Sequence, residues 1–347
     1  MIFLGDIAHP FEESPEWANS SPPWRRQPVI VNLEGALNDD LIALKERKLF
    51  NHPSILPALK NWGVEVVGLA NNHVMDMRER FQETLEIIGQ NAIQHVGAGV
   101  NIEEASQPIL IEENGKKVLL LAFGWQTIRC QIATGEQPGV NPLEPEHVIR
   151  SVKKWRNLQS QAMIVALMHW NYEMELYPQP AHRQLAFAMI DAGADAVIGH
   201  HPHRVGGIEF YKGRPVAYSL GNWWLPHKVY WNGALCFAKE SNLQLALEIS
   251  PSREVVCHWF EYDPDRHGIN HISTVIVGQD KKISELTVFR NKGHREYITW
   301  FKKNRIKNKL LPIYKHINQP FMDAVRNKYI SLRHIGMMAI KKSKFVG

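Results

Sequence analysis

Three imidazoles fall within four residues at Gly199-His200-His201-Pro202-His203. Neutral imidazole is the commonest protein ligand for a metal ion. Pro202 fixes one φ in the turn and holds two rings two residues apart. Four other polar groups also follow apolar runs. Gly5-Asp6 follows Ile2-Phe3-Leu4, and Asn32-Leu33-Glu34 follows Pro28-Val29-Ile30-Val31. Asn71-Asn72-His73 follows Val66-Val67-Gly68-Leu69-Ala70, and His169-Trp170 follows Ile164-Val165-Ala166-Leu167-Met168. Together they offer two carboxylates, an amide oxygen and several imidazoles, with no thiolate. Such oxygen and nitrogen donors suit Mn, Fe or Zn. Two carboxylates with four or more other donors are enough for a two-metal centre. Taken singly, each group has an ordinary explanation as turn chemistry, a helix cap or a satisfied core histidine. Their joint placement at five strand ends argues for a site.

The elements that must position these groups are short. Strands are expected at Ile2–Leu4, Val29–Asn32, Val64–Leu69, Ile93–Val96, Ile109–Glu112, Lys117–Phe123, Met163–Met168 and Ala196–Ile198. Helical patterns lie at Ser54–Trp62, Arg78–Asn91, Glu144–Leu158 and Ala181–Ala192. Asn114-Gly115 and Lys212-Gly213 each separate two apolar runs, a hairpin signal. Ligand sites of open α/β sheets lie at strand ends, so the five groups are expected to converge at one sheet edge. Mixed βα units with hairpins point to a layered sandwich, not a purely parallel doubly wound sheet. Residues 243–290 read as all-β, at Leu243–Ile249, Val255–Tyr262, His271–Val277 and Ile283–Phe289, and close the main domain. The division expected is a domain over 1–290 and a basic helical extension over 291–347.

The charge is unevenly spread. Residues 281–347 hold 17 Lys+Arg against 3 Asp+Glu, a net of +14, whereas residues 1–280 carry a net of −9. Such a tail calls for an anionic partner. Within it, Phe321, Val325, Tyr329, Leu332 and Ile335 form a stripe at helical spacing, with Arg326, Lys328 and Arg333 around it. That stripe either packs on the body or touches an anionic membrane or partner. The three cysteines, Cys130, Cys236 and Cys257, include no Cys-x-x-Cys pair, which argues against a disulfide framework or a cysteine-based zinc site and favours a reducing compartment. No signal-type N-terminus and no run of 18 apolar residues is present in the sequence. The protein is therefore expected in the cytoplasm, at most peripheral to the inner face of the membrane. Trp125, Trp170, Trp223 and Trp224 lie beside strand ends, where they either pack or stack on sugar rings, with packing favoured.

The ordered set resembles the bacterial capsule-synthesis protein CapA family, a branch of the calcineurin-like metallophosphatase superfamily. The matching text is Gly5-Asp6, Asn32-Leu33-Glu34, Ala70-Asn71-Asn72-His73, His169-Trp170-x-x-Glu173, the run from Asp191 to His203, and Tyr218-Ser219-Leu220-Gly221-Asn222. The resemblance covers roughly residues 1–225 and implies a four-layer α/β/β/α metallophosphatase-like sandwich. It implies that Asp6 binds a first metal and that Glu34 bridges. It implies that Asn72, His169 and His201 complete a second metal and that His203 returns to the first. His73 becomes the acid that protonates a leaving oxygen. Glu173, His200 and Asn222 support the ligands or meet the substrate. The cofactor implied is one or two divalent ions, Mn, Fe or Zn.

Three departures stand out. Position 8, where the superfamily places a histidine, is Ala8, with His9 beside it; the first metal then lacks a ligand, binds weakly or recruits His9. The bridging carboxylate is Glu34 where Asp is usual, and Asn171 replaces a glycine of the family pattern. The function expected is a metal-dependent phosphoesterase in capsule, exopolysaccharide or poly-γ-glutamate biosynthesis, acting on a phosphorylated or anionic glycan or polymer. The alternative is a non-catalytic or single-metal assembly component of a polymer-synthesis complex that works through its basic tail. Nucleic acid is not the expected partner, because no nucleic-acid-binding motif accompanies the charge.

Overall fold

The computed structural model describes residues 1–15, 22–24, 27–250, 254–306 and 310–343, with side chains of the last helix through His334. In chain order the strands of the first half are β1 (Ile2–Ile7), β2 (Val29–Leu33), β3 (Ala36–Leu37), β4 (Phe50–Asn51), β5 (Val64–Gly68), β6 (Gln94–Val96), β7 (Ala98–Gly99), β8 (Ile109–Glu113) and β9 (Lys116–Gly124). Those of the second half are β10 (Gly139–Val140), β11 (Met163–His169), β12 (Ala196–His200), β13 (Ile208–Tyr211), β14 (Arg214–Ala217), β15 (Asn222–Trp224), β16 (Leu243–Ile249), β17 (Val255–Asp263) and β18 (Gly268–Ile276). The helices are α1 (Ile55–Asn61), α2 (Phe81–Gln90), α3 (Ile102–Ala105), α4 (Pro145–Leu158), α5 (Pro180–Ala192), α6 (Lys281–Leu286), α7 (His294–Asn304) and α8 (Pro320–Ser343).

Two large sheets form, not one. The first has the order β18-β17-β16-β1-β2-β5-β6, with β15 also paired to β1; the second has the order β13-β14-β12-β11-β9-β8. Their central strands are parallel and rich in Val, Ile and Leu, the composition of strands covered on both faces. The sheets face one another: a Cβ added at Gly68 of β5 would lie 3.7 Å from Leu167 Cδ1 of β11. Helices α1 and α2 pack on β5 and β6, and α5 packs on β12 with α4 beside it. The result is an α/β/β/α sandwich. Both predicted hairpins form, with φ of 51° and 74° at Asn114 and Gly115 and 49° and 73° at Lys212 and Gly213. These left-handed pairs match the twist of the flanking strands.

Two expectations need correction. The five polar groups do not share one sheet edge; three follow strands of the first sheet and two follow strands of the second. Ile283–Phe289 does not form a strand, because α6 occupies Lys281–Leu286. Asp280 decides the difference: its carboxylate accepts the Ile283 backbone N–H at 3.1 Å and caps the helix. Beyond it the chain continues to pack on the body, since Phe289, Tyr297, Phe301, Leu311 and Tyr314 join the same apolar core as the sheets.

Candidate metal centre

Strand register puts the polar residues on adjacent rungs. Asp6 at the end of β1 stands beside Asn32 of β2 on one side and Asn222 of β15 on the other. In the second sheet His169 of β11 stands beside His200 of β12. Two close approaches make this geometry. A Cβ at Gly5 would lie 2.1 Å from Gly221 O, and one at Gly199 would lie 2.1 Å from Tyr218 O. Only glycine lets the backbone come so near.

Two groups of buried donors result, and they share one residue. Asp6, Glu34 and His203 form the first; Glu34, His169 and His201 form the second; within each, the ligand atoms lie within 4.8 Å of one another. In the first, His203 Nδ1 is 3.4 Å from Asp6 Oδ2, and His203 Nε2 is 4.0 Å from Glu34 Oε2. In the second, His169 Nε2 is 3.3 Å from Glu34 Oε1 and 2.8 Å from Asn72 Oδ1, which adds an amide oxygen to that set. Donors about 2.1 Å from one ion stand roughly 3.0–3.4 Å apart in octahedral or tetrahedral geometry. Burial alone holds Asp6 up at about 6 against the attraction of His203, and pushes Glu34 well above the usual carboxylate range, with the charge of Asp6 adding to it. Burial also keeps His169 neutral, helped by the neighbouring imidazoles. Glu34 Oε2 and His169 Nδ1 are buried with no hydrogen-bond partner among the described residues. Two buried carboxylates, imidazole nitrogens and orphaned lone pairs are a donor set that a divalent cation satisfies.

Supporting contacts hold these groups in place. Asn32 Nδ2 donates to Asp6 Oδ1 at 2.9 Å, and the His201 backbone N–H donates to Asp6 Oδ2 at 3.2 Å. Asn222 Oδ1 accepts from His203 Nδ1 at 2.9 Å, which leaves the Nε2 lone pair on the Glu34 side. Asn71 shapes its loop instead: its Oδ1 accepts the backbone N–H of Gly35, His73 and Val74, and its Nδ2 donates to Leu33 O. His201 and His203 adopt φ of 93° and 56°, and Asn171 adopts 69°. Left-handed backbone at non-glycine residues gathers at functional sites, where surrounding contacts hold it.

His73 stands at the edge of this cluster, close enough for its charge to act on Asp6 and His169. Its Nδ1 lies 2.7 Å from Asp76 Oδ2, and Asp76 in turn accepts the Leu49 backbone N–H at 3.0 Å. Sequence reading did not single out Asp76 or the supporting role of Asn32. A carboxylate three residues after His73 was the available signal for Asp76. Glu173 is exposed, and its charge reaches Glu34. Arg129, with φ of 78°, feels the charges of Glu173 and Asp76 and stands at the same rim.

Other residues fall outside the donor groups. His200 Nε2 lies 3.1 Å from Leu4 O, and burial lowers the ring to about 4, so it is a neutral donor tying the two sheets together. His9 is not recruited. Its Nε2 meets Glu13 O at 2.9 Å, and its Nδ1 accepts from Trp224 Nε1 at 3.0 Å, so both ring nitrogens are used. Ala8 is buried against Leu49, Phe50 and Leu225 in a small apolar cluster. Trp125, Trp170, Trp223 and Trp224 are all buried and pack.

The sequence profile of the bacterial capsule synthesis protein family, PGA_cap, matches residues 6–225. The chain belongs to this family. That span runs from the Asp6 rung to just past Asn222, so the family match and the donor groups coincide. Among relatives, the chain is 34% identical over 168 residues to the capsule biosynthesis protein CapA of Bacillus anthracis, covering 48% of this chain and 41% of that one. It is 34% identical over 180 residues to the PGA biosynthesis protein CapA of Bacillus subtilis (strain 168), covering 51% and 47%. The chain thus spans less than half the length of these two relatives. Among solved structures, a 5'-nucleotidase precursor from Thermus thermophilus aligns at 12% identity with a TM-score of 0.37, over 79% of this chain and 53% of that one.

Proposed function

We propose that this family member is a metal-dependent phosphoesterase serving the synthesis of a capsule or poly-γ-glutamate polymer, with a phosphorylated or anionic glycan or polymer as substrate. The observation that supports it most is the pair of buried donor groups sharing Glu34. The names of the relatives, capsule and PGA biosynthesis proteins, support the polymer context. Asp6, Glu34 and His203 would hold one divalent ion, and Glu34, Asn72, His169 and His201 a second. Divalent ions there supply Lewis acidity toward phosphoryl oxygens. The chain's own residues do the rest. Asp76 accepts a hydrogen bond from His73 Nδ1–H, and in the doubly protonated ring Nε2–H would be the proton handed to the leaving oxygen, the ring being left as the neutral Nδ1–H tautomer. Arg129, exposed and subject to the charges of Glu173 and Asp76, would offer a cation to the phosphate.

The test is metal analysis of the purified protein together with hydrolysis of p-nitrophenyl phosphate and bis(p-nitrophenyl) phosphate in Mn, Fe or Zn. Stoichiometric metal and hydrolysis are expected, and His73→Asn should lower turnover about 10²- to 10⁴-fold with metal content unchanged. Absence of bound metal and of hydrolysis under all three ions would sink the enzyme reading. One ion per chain without hydrolysis would favour the assembly component, which Ala8 in place of a ligand also favours.

A further inference from the structure

Helix α8 is amphipathic the wrong way round for a helix that packs on a protein body. Its inward side is polar. Asn327 Oδ1 accepts from Thr127 Oγ1 at 2.8 Å and from the Tyr314 hydroxyl, Arg326 pairs with Asp323, and the Arg326 guanidinium lies 5.5 Å from the Tyr314 ring centre. Ile330 is the apolar residue that reaches the core from this side. Its outward side is apolar. Phe321 is 78% exposed, Val325 50%, Tyr329 45% and Leu332 60%, and their spacing aligns them in one stripe. Met322 widens the stripe and Lys328 is exposed within it. An exposed apolar stripe of this size needs a partner.

We propose that α8 lies in the plane of an anionic lipid bilayer, with this stripe in the acyl boundary. Charge selects the occupant. Residues 281–347 carry a net of +14, so two copies meeting through α8 would bring two such segments together, whereas an anionic surface attracts them. The sequence past His334 continues Ile335-Gly336-Met337-Met338-Ala339-Ile340 and then Lys341-Lys342-Ser343-Lys344, an apolar run followed by a basic one. Among the described residues no helix is long and apolar enough to cross a membrane. Docking in the plane needs no crossing. The proposal is independent of the metal centre and of the phosphoesterase reading.

Co-sedimentation of the full chain with vesicles tests it. Vesicles of about three parts phosphatidylcholine to one part phosphatidylglycerol should bind at least about tenfold more protein than pure phosphatidylcholine. Phe321→Ser with Leu332→Ser should remove most of that binding while leaving circular dichroism and metal content unchanged, because both side chains point to solvent. Raised salt should weaken binding without abolishing it. Failure of the parent protein to bind, equal binding by the double variant, or a dimer in sedimentation velocity that the double variant dissolves would each overturn the proposal.

Discussion

The two halves of the donor cluster differ in how they are built. The Asp6 half offers three protein ligands, and the two it does not share are braced: Asn32 and the His201 N–H hold Asp6, and Asn222 holds His203. The His169 half offers four, counting Asn72, yet His169 Nδ1 has no hydrogen-bond partner among the described residues. Ligand number favours the His169 half and bracing favours the Asp6 half. More donors give affinity, whereas braced donors give fixed geometry. The comparison therefore predicts a tight ion on the His169 side and a weaker, sharply oriented one on the Asp6 side.

Glu34→Gln is the strongest blow to this picture, because Glu34 belongs to both halves. It should abolish stoichiometric binding of both ions in elemental analysis and reduce hydrolysis on the order of a thousandfold; a variant that still binds two ions would show that Glu34 does not bridge. Next come Asp6→Asn and His169→Gln. A calorimetric Mn titration of Asp6→Asn should keep the tight class and lose the weak one, and His169→Gln should lose the tight class. The reverse pattern would invert the assignment. Asn222→Ala should be milder, weakening only the weak class by about 10- to 100-fold, and an unchanged isotherm would show that bracing contributes nothing.

The smallest effect lies away from the donors. His182 stacks on Trp170 at 5.2 Å between ring centres, and burial lowers it to about 3. The unfolded chain takes up a proton near the ordinary histidine value of about 6.5, which the folded chain refuses until about 3. His182 thus supplies full stability above about 6.5 and loses it as pH falls toward 3. The melting temperature should fall between pH 6.5 and 4, and His182→Phe should flatten that slope. An unchanged slope would mean that the ring is already protonated in the fold.

Much of this arrangement was readable from residue order. Each polar group does lie at or just past the end of a strand, and the hairpins and helices fall where periodicity and turn residues placed them. What escaped is what depends on distant chain segments. Alternation cannot tell one sheet from two, because both bury Val and Ile alike. Asn222 was assigned by its motif, but β15 was not foreseen: three residues long, it exists because Gly5 admits it beside β1. The strand expected at Ile283–Phe289 failed because the Asp280 cap outweighed β-branched side chains. His9 looked available in sequence, and only the fold reveals Glu13 and Trp224 on its ring. The inverted polarity of α8 was likewise hidden, since a stripe at helical spacing does not say which side faces water.

The left-handed backbone at His201, with φ of 93°, implies a trade between durability and use. Glycine at that position would relieve roughly 1–3 kcal/mol of strain. His201→Gly should therefore be a rare change that raises the melting temperature of the metal-free protein while emptying the His169 half of a ligand. A selection for thermal stability alone would erode this loop first. The loop thus trades durability of the chain for the ligand it carries.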